Sequence, residues 1–120
     1  MSPDPPKGTS PYVPGTPDEL DAVIAAPDNH EVLIENEHVR VLRVLVRAGE
    51  VEKKHTHKWP SVFTITKRPK IKYFNEKDEE VALGPPPDEG TPFWLGPEGV
   101  HWVVNPAGFD LEAIRIELKG

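Results

Sequence analysis

The segment GEVEKKHTHKWPS, Gly49 to Ser61, places two histidines one residue apart, just ahead of a tryptophan and a proline. On a strand, residues i and i+2 share a face, so His55 and His57 project the same way with Cα atoms about 7 Å apart. Two imidazoles so placed can reach one ion at about 2.1 Å each. An HxH pair on a solvated strand has the same spacing, so a metal reading needs a third ligand from elsewhere. His101, in GVHWVVN, is the candidate, since it sits among apolar residues and shares parity with Val103. Considered alone, His101 is more simply a core histidine bonded to a backbone carbonyl.

Outward from this pair the chain reads as strands. EVLIE and HVRVLRVLVR are rich in β-branched residues and are separated by Asn36. Further runs follow at Ser61–Thr66, Lys70–Phe74, Glu80–Leu83, Pro92–Leu95, His101–Asn105 and Phe109–Leu118. Gly49, Pro69, Asn75, Gly84, the Gly96–Gly99 turn and Pro106 with Gly108 punctuate them. Many short strands with little helix predict an all-β sandwich or closed barrel. Parity puts Ser61, Phe63 and Ile65 on one face of their strand. In the last strand Ile114, Ile116 and Leu118 oppose Arg115, Glu117 and Lys119, while Phe109, Leu111 and Ala113 are out of phase. A bulge near Ala113, or cover on both faces, reconciles the two sets.

The first 30 residues differ. Residues 2–17 carry six prolines among small polar residues, too little apolar surface to offset ordering entropy, and predict an extended arm with Tyr12 and Val13 as its apolar anchors. A short helical turn is expected at Pro17–Ala26, capped by Thr16, before a barrel domain over residues 31–120.

A net charge of −6 and a pI near 5.3 argue against a nucleic-acid partner, which calls for a basic face. The basic run KRPKIK at Lys67–Lys72 is answered by EKDEE at Glu76–Glu80 and reads as a solvated hairpin. The chain has no cysteine, so disulfides, thiolate sites and cysteine nucleophiles are excluded and any metal must be held by His, Asp or Glu. Neither a signal peptide nor a membrane-spanning apolar run is evident, so a soluble cytoplasmic protein is expected, with no membrane partner.

Taken together, the spacings resemble the two signature motifs of the cupin family, G-x5-H-x-H-x3,4-E-x6-G and G-x5-P-x-G-x2-H-x3-N. Gly49 stands five residues before His55-x-His57; Gly90 lies 11 residues before His101, and Asn105 falls four after it. The resemblance covers about residues 31–118. It implies a jelly-roll β-barrel enclosing a divalent metal ion (iron, zinc, nickel or manganese) held by His55, His57 and His101. The departures are at the motif glutamate, where Ser61 stands, with Val62 as the alternative alignment and neither a carboxylate; at the glycine expected after it, where TKRPK stands; and at the Pro97-Glu98-Gly99 turn, displaced one residue toward His101.

Three neutral imidazoles leave the metal's charge uncompensated, which favours an anionic chelating ligand such as a carboxylate, an enolate or a 2-oxo acid. Imidazole donors suit zinc, copper, iron and nickel. A three-His site resembles those of cupin dioxygenases acting on β-diketones or thiols, and that is the leading function expected. The alternatives are a non-catalytic module binding a metal or small ligand, and a structural zinc. Trp59, Ser61, Phe63 and Asn105 are the candidate pocket residues, with no catalytic residue assigned. Glu52, Glu98, Glu35, Glu37, His38 and His30 read as solvated. Trp94 and Trp102 serve either the barrel interior or a subunit interface, parity opposite to His101 favouring the interface for Trp102, and the resemblance implies a homodimer.

Overall fold

The alternation in β2 (Val39–Val46) turns Arg40, Leu42, Val44 and Val46 inward. In β9 (Leu111–Leu118) it turns Leu111, Ala113, Arg115 and Glu117 inward, leaving Ile114, Ile116 and Leu118 half-buried on the other face. The two strands pair in unbroken antiparallel register, Arg40 opposite Glu117 and Val46 opposite Leu111. No bulge interrupts β9. Its phase change is chemical, and the inward face goes from aliphatic to charged along one strand.

The computed structural model describes residues 9, 11–85 and 87–120. Among these, the other strands are β1 (His30–Glu35), β3 (His55–His57), β4 (Ser61–Lys67), β5 (Lys72–Asn75), β6 (Glu80–Val81), β7 (Phe93–Leu95) and β8 (Glu98–Val104). One sheet has the order β1-β2-β9-β4-β7 and the other β3-β8-β5-β6. This is the antiparallel two-sheet barrel that the sequence predicts. Opposite Ala113 the register slips in β4 beyond Ile65, where Lys67 pairs with Glu112; further slips lie between Val32 and Ile34 of β1 and between His55 and His57 of β3.

The apolar core is Leu42, Val44, Val46, Leu111 and Ala113, with Val23, Phe63, Ile65 and Ile71 packed against it. Both motif glycines occupy left-handed turns, Gly49 at φ 76° and Gly90 at φ 80°, which glycine adopts without steric cost.

Residues 1–8 and 10 of the expected arm lie outside the described residues. Pro11 makes an antiparallel bridge to Glu98, and Val13 is exposed. The helical turn divides into a 3-10 turn, Asp18–Leu20, and α1, Ala22–Ala25. Its cap is Asp21, which accepts from the Val23 amide, whereas Thr16 Oγ1 donates to the Val13 carbonyl. Asp21 also receives Arg40 Nη2 at 2.8 Å. The helix is thereby pinned to the charged end of the sandwich. Ala26 at its C-terminal end accepts from His30 Nδ1 at 2.9 Å, so the helix orients the first residue of β1.

Candidate metal centre

β3 and β8 pair antiparallel, with His55 opposite His101 and His57 opposite Glu98. The rings of His55 and His101 have centroids 4.4 Å apart, those of His55 and His57 5.0 Å, and those of His57 and His101 5.5 Å. All three side chains are buried. His30 joins them, 4.6 Å from His55 and 5.2 Å from His57. The expectation that His30 is solvated is therefore corrected. It is 5% exposed, because β1 starts one residue earlier than its apolar run and α1 closes over that end.

Each imidazole has one nitrogen tied to an acceptor. His30 Nδ1 faces the Ala26 carbonyl at 2.9 Å, His55 Nδ1 the Lys53 carbonyl at 2.8 Å, and His101 Nδ1 the Gly99 carbonyl at 2.7 Å. His57 Nδ1 faces Glu117 Oε2 at 3.2 Å. A carbonyl only accepts, so in the neutral rings of His30, His55 and His101 the proton sits on Nδ1 and Nε2 keeps its lone pair. This is the outer-shell arrangement that orients metal-ligating histidines.

Burial keeps these rings neutral. It lowers His30 from 6.5 to about 4. It holds His55 and His57 well below the ordinary value, with His101 and then His30 adding to the effect at His55 and Arg115 at His57. His101 is lowered by burial and partly restored by Glu98.

Two carboxylates that read as solvated are buried here instead. Glu52 is 5% and Glu98 3% exposed. Glu98 lies inside β8 rather than in a turn; the strand begins at Glu98 although Pro97 and Gly99 flank it. Glu52 Oε1 is 3.8 Å from His55 Nε2, and Glu98 Oε2 is 3.6 Å from His101 Nε2. These distances exceed a hydrogen bond but fit two ligands sharing one ion about 2.1 Å from each. Three sets of donor atoms cluster within 4.8 Å: His30, His55 and His57; Glu52, His55 and His101; and His57, Glu98 and His101. The carboxylate absent at position 61 is thus supplied three residues before a histidine, twice. That repeated Glu-x2-His spacing was the available signal. For His30 the local sequence held none.

The carboxylates differ in state. Burial, with Glu98 and Glu50 nearby, pushes Glu52 well above the usual range. Burial also acts on Glu98, but His101, Arg115 and the Tyr73 hydroxyl together bring it below the usual range. Tyr73 Oη donates to Glu98 Oε2 at 2.8 Å, and the Tyr73 ring stacks on His101 at 4.9 Å. Arg115 Nη1 donates to Glu98 Oε1 at 2.8 Å, and Arg115 Nε to Ser61 Oγ at 2.9 Å. Ser61 therefore seats the arginine that holds the glutamate. Arg115 Nη2 is buried with no hydrogen-bond partner among the described residues, an omission that costs about 1–3 kcal/mol.

The cluster lines a cavity of about 680 Å³. Val44, Val46, Phe63, Ile65, Leu95 and Leu111 form its apolar wall. Of the four candidate pocket residues, Phe63 lines it; Trp59, Ser61 and Asn105 do not. Trp59 falls between β3 and β4, where the chain leaves strand geometry and parity lapses. Its ring is flanked by Lys58, Arg40 and Lys119 at 4.7, 4.9 and 5.3 Å. Asn105 is structural: its Nδ2 donates to the Val46 and Phe109 carbonyls, its Oδ1 accepts from the Ala107 amide, and its carbonyl accepts from Gly49. Glu35, Glu37 and His38 are exposed. Among the described residues no helix is long and apolar enough to cross a membrane.

No family model matches the chain, and no curated protein matches it in sequence. Solved structures do. A cupin domain from Bordetella pertussis Tohama I superposes with a TM-score of 0.64 at 20% identity, covering 76% of this chain and 92% of that one. An RmlC-like cupin with a double-stranded β-helix fold from Methanocaldococcus jannaschii gives 0.56 at 21% identity, over 74% and 77%. The polyketide cyclase RemF from Streptomyces resistomycificus gives 0.53 at 12% identity, over 76% and 64%.

Proposed function

We propose that this chain, a barrel of the cupin double-stranded β-helix fold, is a metal-dependent enzyme acting on a small enolisable organic molecule of the β-dicarbonyl type. The observation that supports this most is the set of four buried histidines whose Nδ1 atoms all face acceptors, leaving Nε2 donors to meet in one lumen. His55, His57 and His101 are the ligands proposed, with His30 as a fourth nitrogen; Glu52, 3.8 Å from His55 Nε2, stands beside them as an acid–base group rather than a ligand. Glu98, already held by Arg115 and Tyr73, orients its surroundings instead. Bound there, a divalent ion supplies Lewis acidity to a carbonyl or enolate oxygen and, if iron, a redox-active centre.

This chain's own residues supply the rest. Glu52, raised well above the carboxylate range by burial, is suited to accept a proton from carbon beside a polarised carbonyl. The aliphatic wall excludes water, and a cavity of about 680 Å³ suits a drug-sized body better than a small thiol. Dioxygenation is the leading reaction. Non-oxidative ring closure is a second reading, favoured by Glu52 as an acid–base group; one structural neighbour, RemF, is a polyketide cyclase.

Iron-loaded protein should take up oxygen on addition of acetylacetone, and His57→Ala should abolish the uptake. Closure of a 1,5-diketone such as 2,6-heptanedione to its cyclic aldol product, with loss of water and no oxygen uptake, would select the second reading. Binding of neither metal nor diketone would overturn both. A homodimer belongs to the same proposal. Trp102 stacks on Phe74 at 4.2 Å and donates to Asp78, so the stronger candidate surface is edge strand β1, where Val32, Leu33 and Ile34 are exposed. Light scattering at twice the chain mass, lost in Leu33→Lys, is the expected result.

A further inference from the structure

Arg115 and the basic run Arg68–Lys72 are not used by the metal chemistry, yet both face the same cavity. Arg115 projects inward from β9, opposite Phe63 on β4, and its side chain is 3% exposed. Two of its nitrogens are engaged, Nε by Ser61 Oγ and Nη1 by Glu98 Oε1, and the guanidinium carbon sits 5.6 Å from the Phe63 ring centroid. Nη2 is buried without a partner among the described residues. A guanidinium is always charged and always a donor. A buried one that lines a cavity and retains an unmet donor is built to receive an acceptor from whatever enters. At the mouth, Arg68, Lys70 and Lys72 line the cavity, opposed by Glu80, so the run that reads as a solvated hairpin forms a predominantly basic rim. Deeper in, the charge of Glu98 is matched by Arg115 itself.

We infer that the Arg115 guanidinium, approached past the basic rim, is a binding point for the carboxylate of an organic acid with an apolar body, separate from the donors of the histidine cluster. The proposal rests on the reading above only for what happens to the far end of that molecule. The carboxylate accepts from the guanidinium, the body lies along Phe63, Ile65 and Leu111, and the remaining functional group reaches His57 and His101.

Calorimetric titration of benzoate and of its neutral isostere benzamide tests this, with the full chain both metal-free in chelator and zinc-loaded. In metal-free protein no ion can attract the carboxylate, so any preference reports on protein cations. Benzoate is expected to bind at least about tenfold more tightly than benzamide in both forms. Arg115→Gln should remove that preference, and Arg115→Lys should restore part of it. Because Arg115→Gln also releases Glu98, a Lys70→Gln, Lys72→Gln double variant gives a second arm that leaves the interior intact. It should weaken benzoate binding and flatten its salt dependence. Equal affinities for benzoate and benzamide in metal-free wild type, or a preference that survives in folded Arg115→Gln, overturns the inference. Failure to retain metal would sink the metal reading alone, since the benzoate preference is still read in the metal-free protein.

Discussion

Along β2 the inward positions run Arg40, Leu42, Val44, Val46, and along β9 the facing ones run Glu117, Arg115, Ala113, Leu111. From Leu42 and Ala113 to Val46 and Leu111 these side chains form a dry aliphatic core. A few residues away the same strands carry Arg40 and Glu117, hydrogen-bonded Nε to Oε1 and both buried, with Asp21 on the other side of the guanidinium. The apolar end is tolerant, since shape and volume are all it requires. The charged end is not: each ion there is safe only while its partner is present, and its order is passed inward through His57 Nδ1 on Glu117 and Arg115 on Ser61. One end stabilises the barrel, and the other aims the histidines.

The sharpest way to break that contrast is to empty each end in turn. Arg40→Met leaves Asp21 and Glu117 buried without their cation and is expected to cost about 3–5 kcal/mol in denaturant unfolding, together with weakened metal retention. Leu42→Ala, at a fully buried position, is expected to cost about 2–5 kcal/mol through its cavity but to leave metal stoichiometry unchanged. If both variants lose metal equally, the division between the ends is wrong.

Acid separates the ends next. An unfolded histidine titrates near 6.5 and buried His30 near 4, so between those values the unfolded chain binds more protons and stability falls as pH drops. Metal-free protein should therefore lose on the order of 3 kcal/mol from His30 between about pH 6.5 and 4. His55, His57 and His101 act in the same direction. Glu52 acts oppositely, since its raised value favours the fold below about 4.5 and that contribution is lost as pH rises. A flat profile across pH 4 to 6.5 in urea unfolding would contradict the buried neutral cluster.

An all-β sandwich or barrel could be read from periodicity, because it is a local property, and the meeting of the His55, His57 and His101 rings from the resemblance to the two cupin motifs. Glu52, Glu98 and His30 could not be placed that way. Their burial follows from β8 beginning three residues ahead of the expected strand and from α1 folding over β1, which are tertiary events. Arg115 and Glu117 were hidden by a rule of thumb, since the aliphatic face of β9 was the natural choice for the interior and this barrel turns that face outward.

The smallest effect concerns the serine at the motif's carboxylate position. Ser61→Ala removes the acceptor for Arg115 Nε and is expected to cost about 1–3 kcal/mol. Metal stoichiometry should be unchanged in elemental analysis, and loss of the metal would mean that Ser61 itself is a ligand.

The central claim is that buried Nε2 atoms from β1, β3 and β8 share one ion, and metal content tests it most directly. After equilibration with buffered zinc, wild type and His38→Ala, which alters a histidine 71% exposed, should each hold one ion per chain, and His55→Ala and His101→Ala should hold none. Equal metal in all four proteins, or none in wild type, would contradict the account.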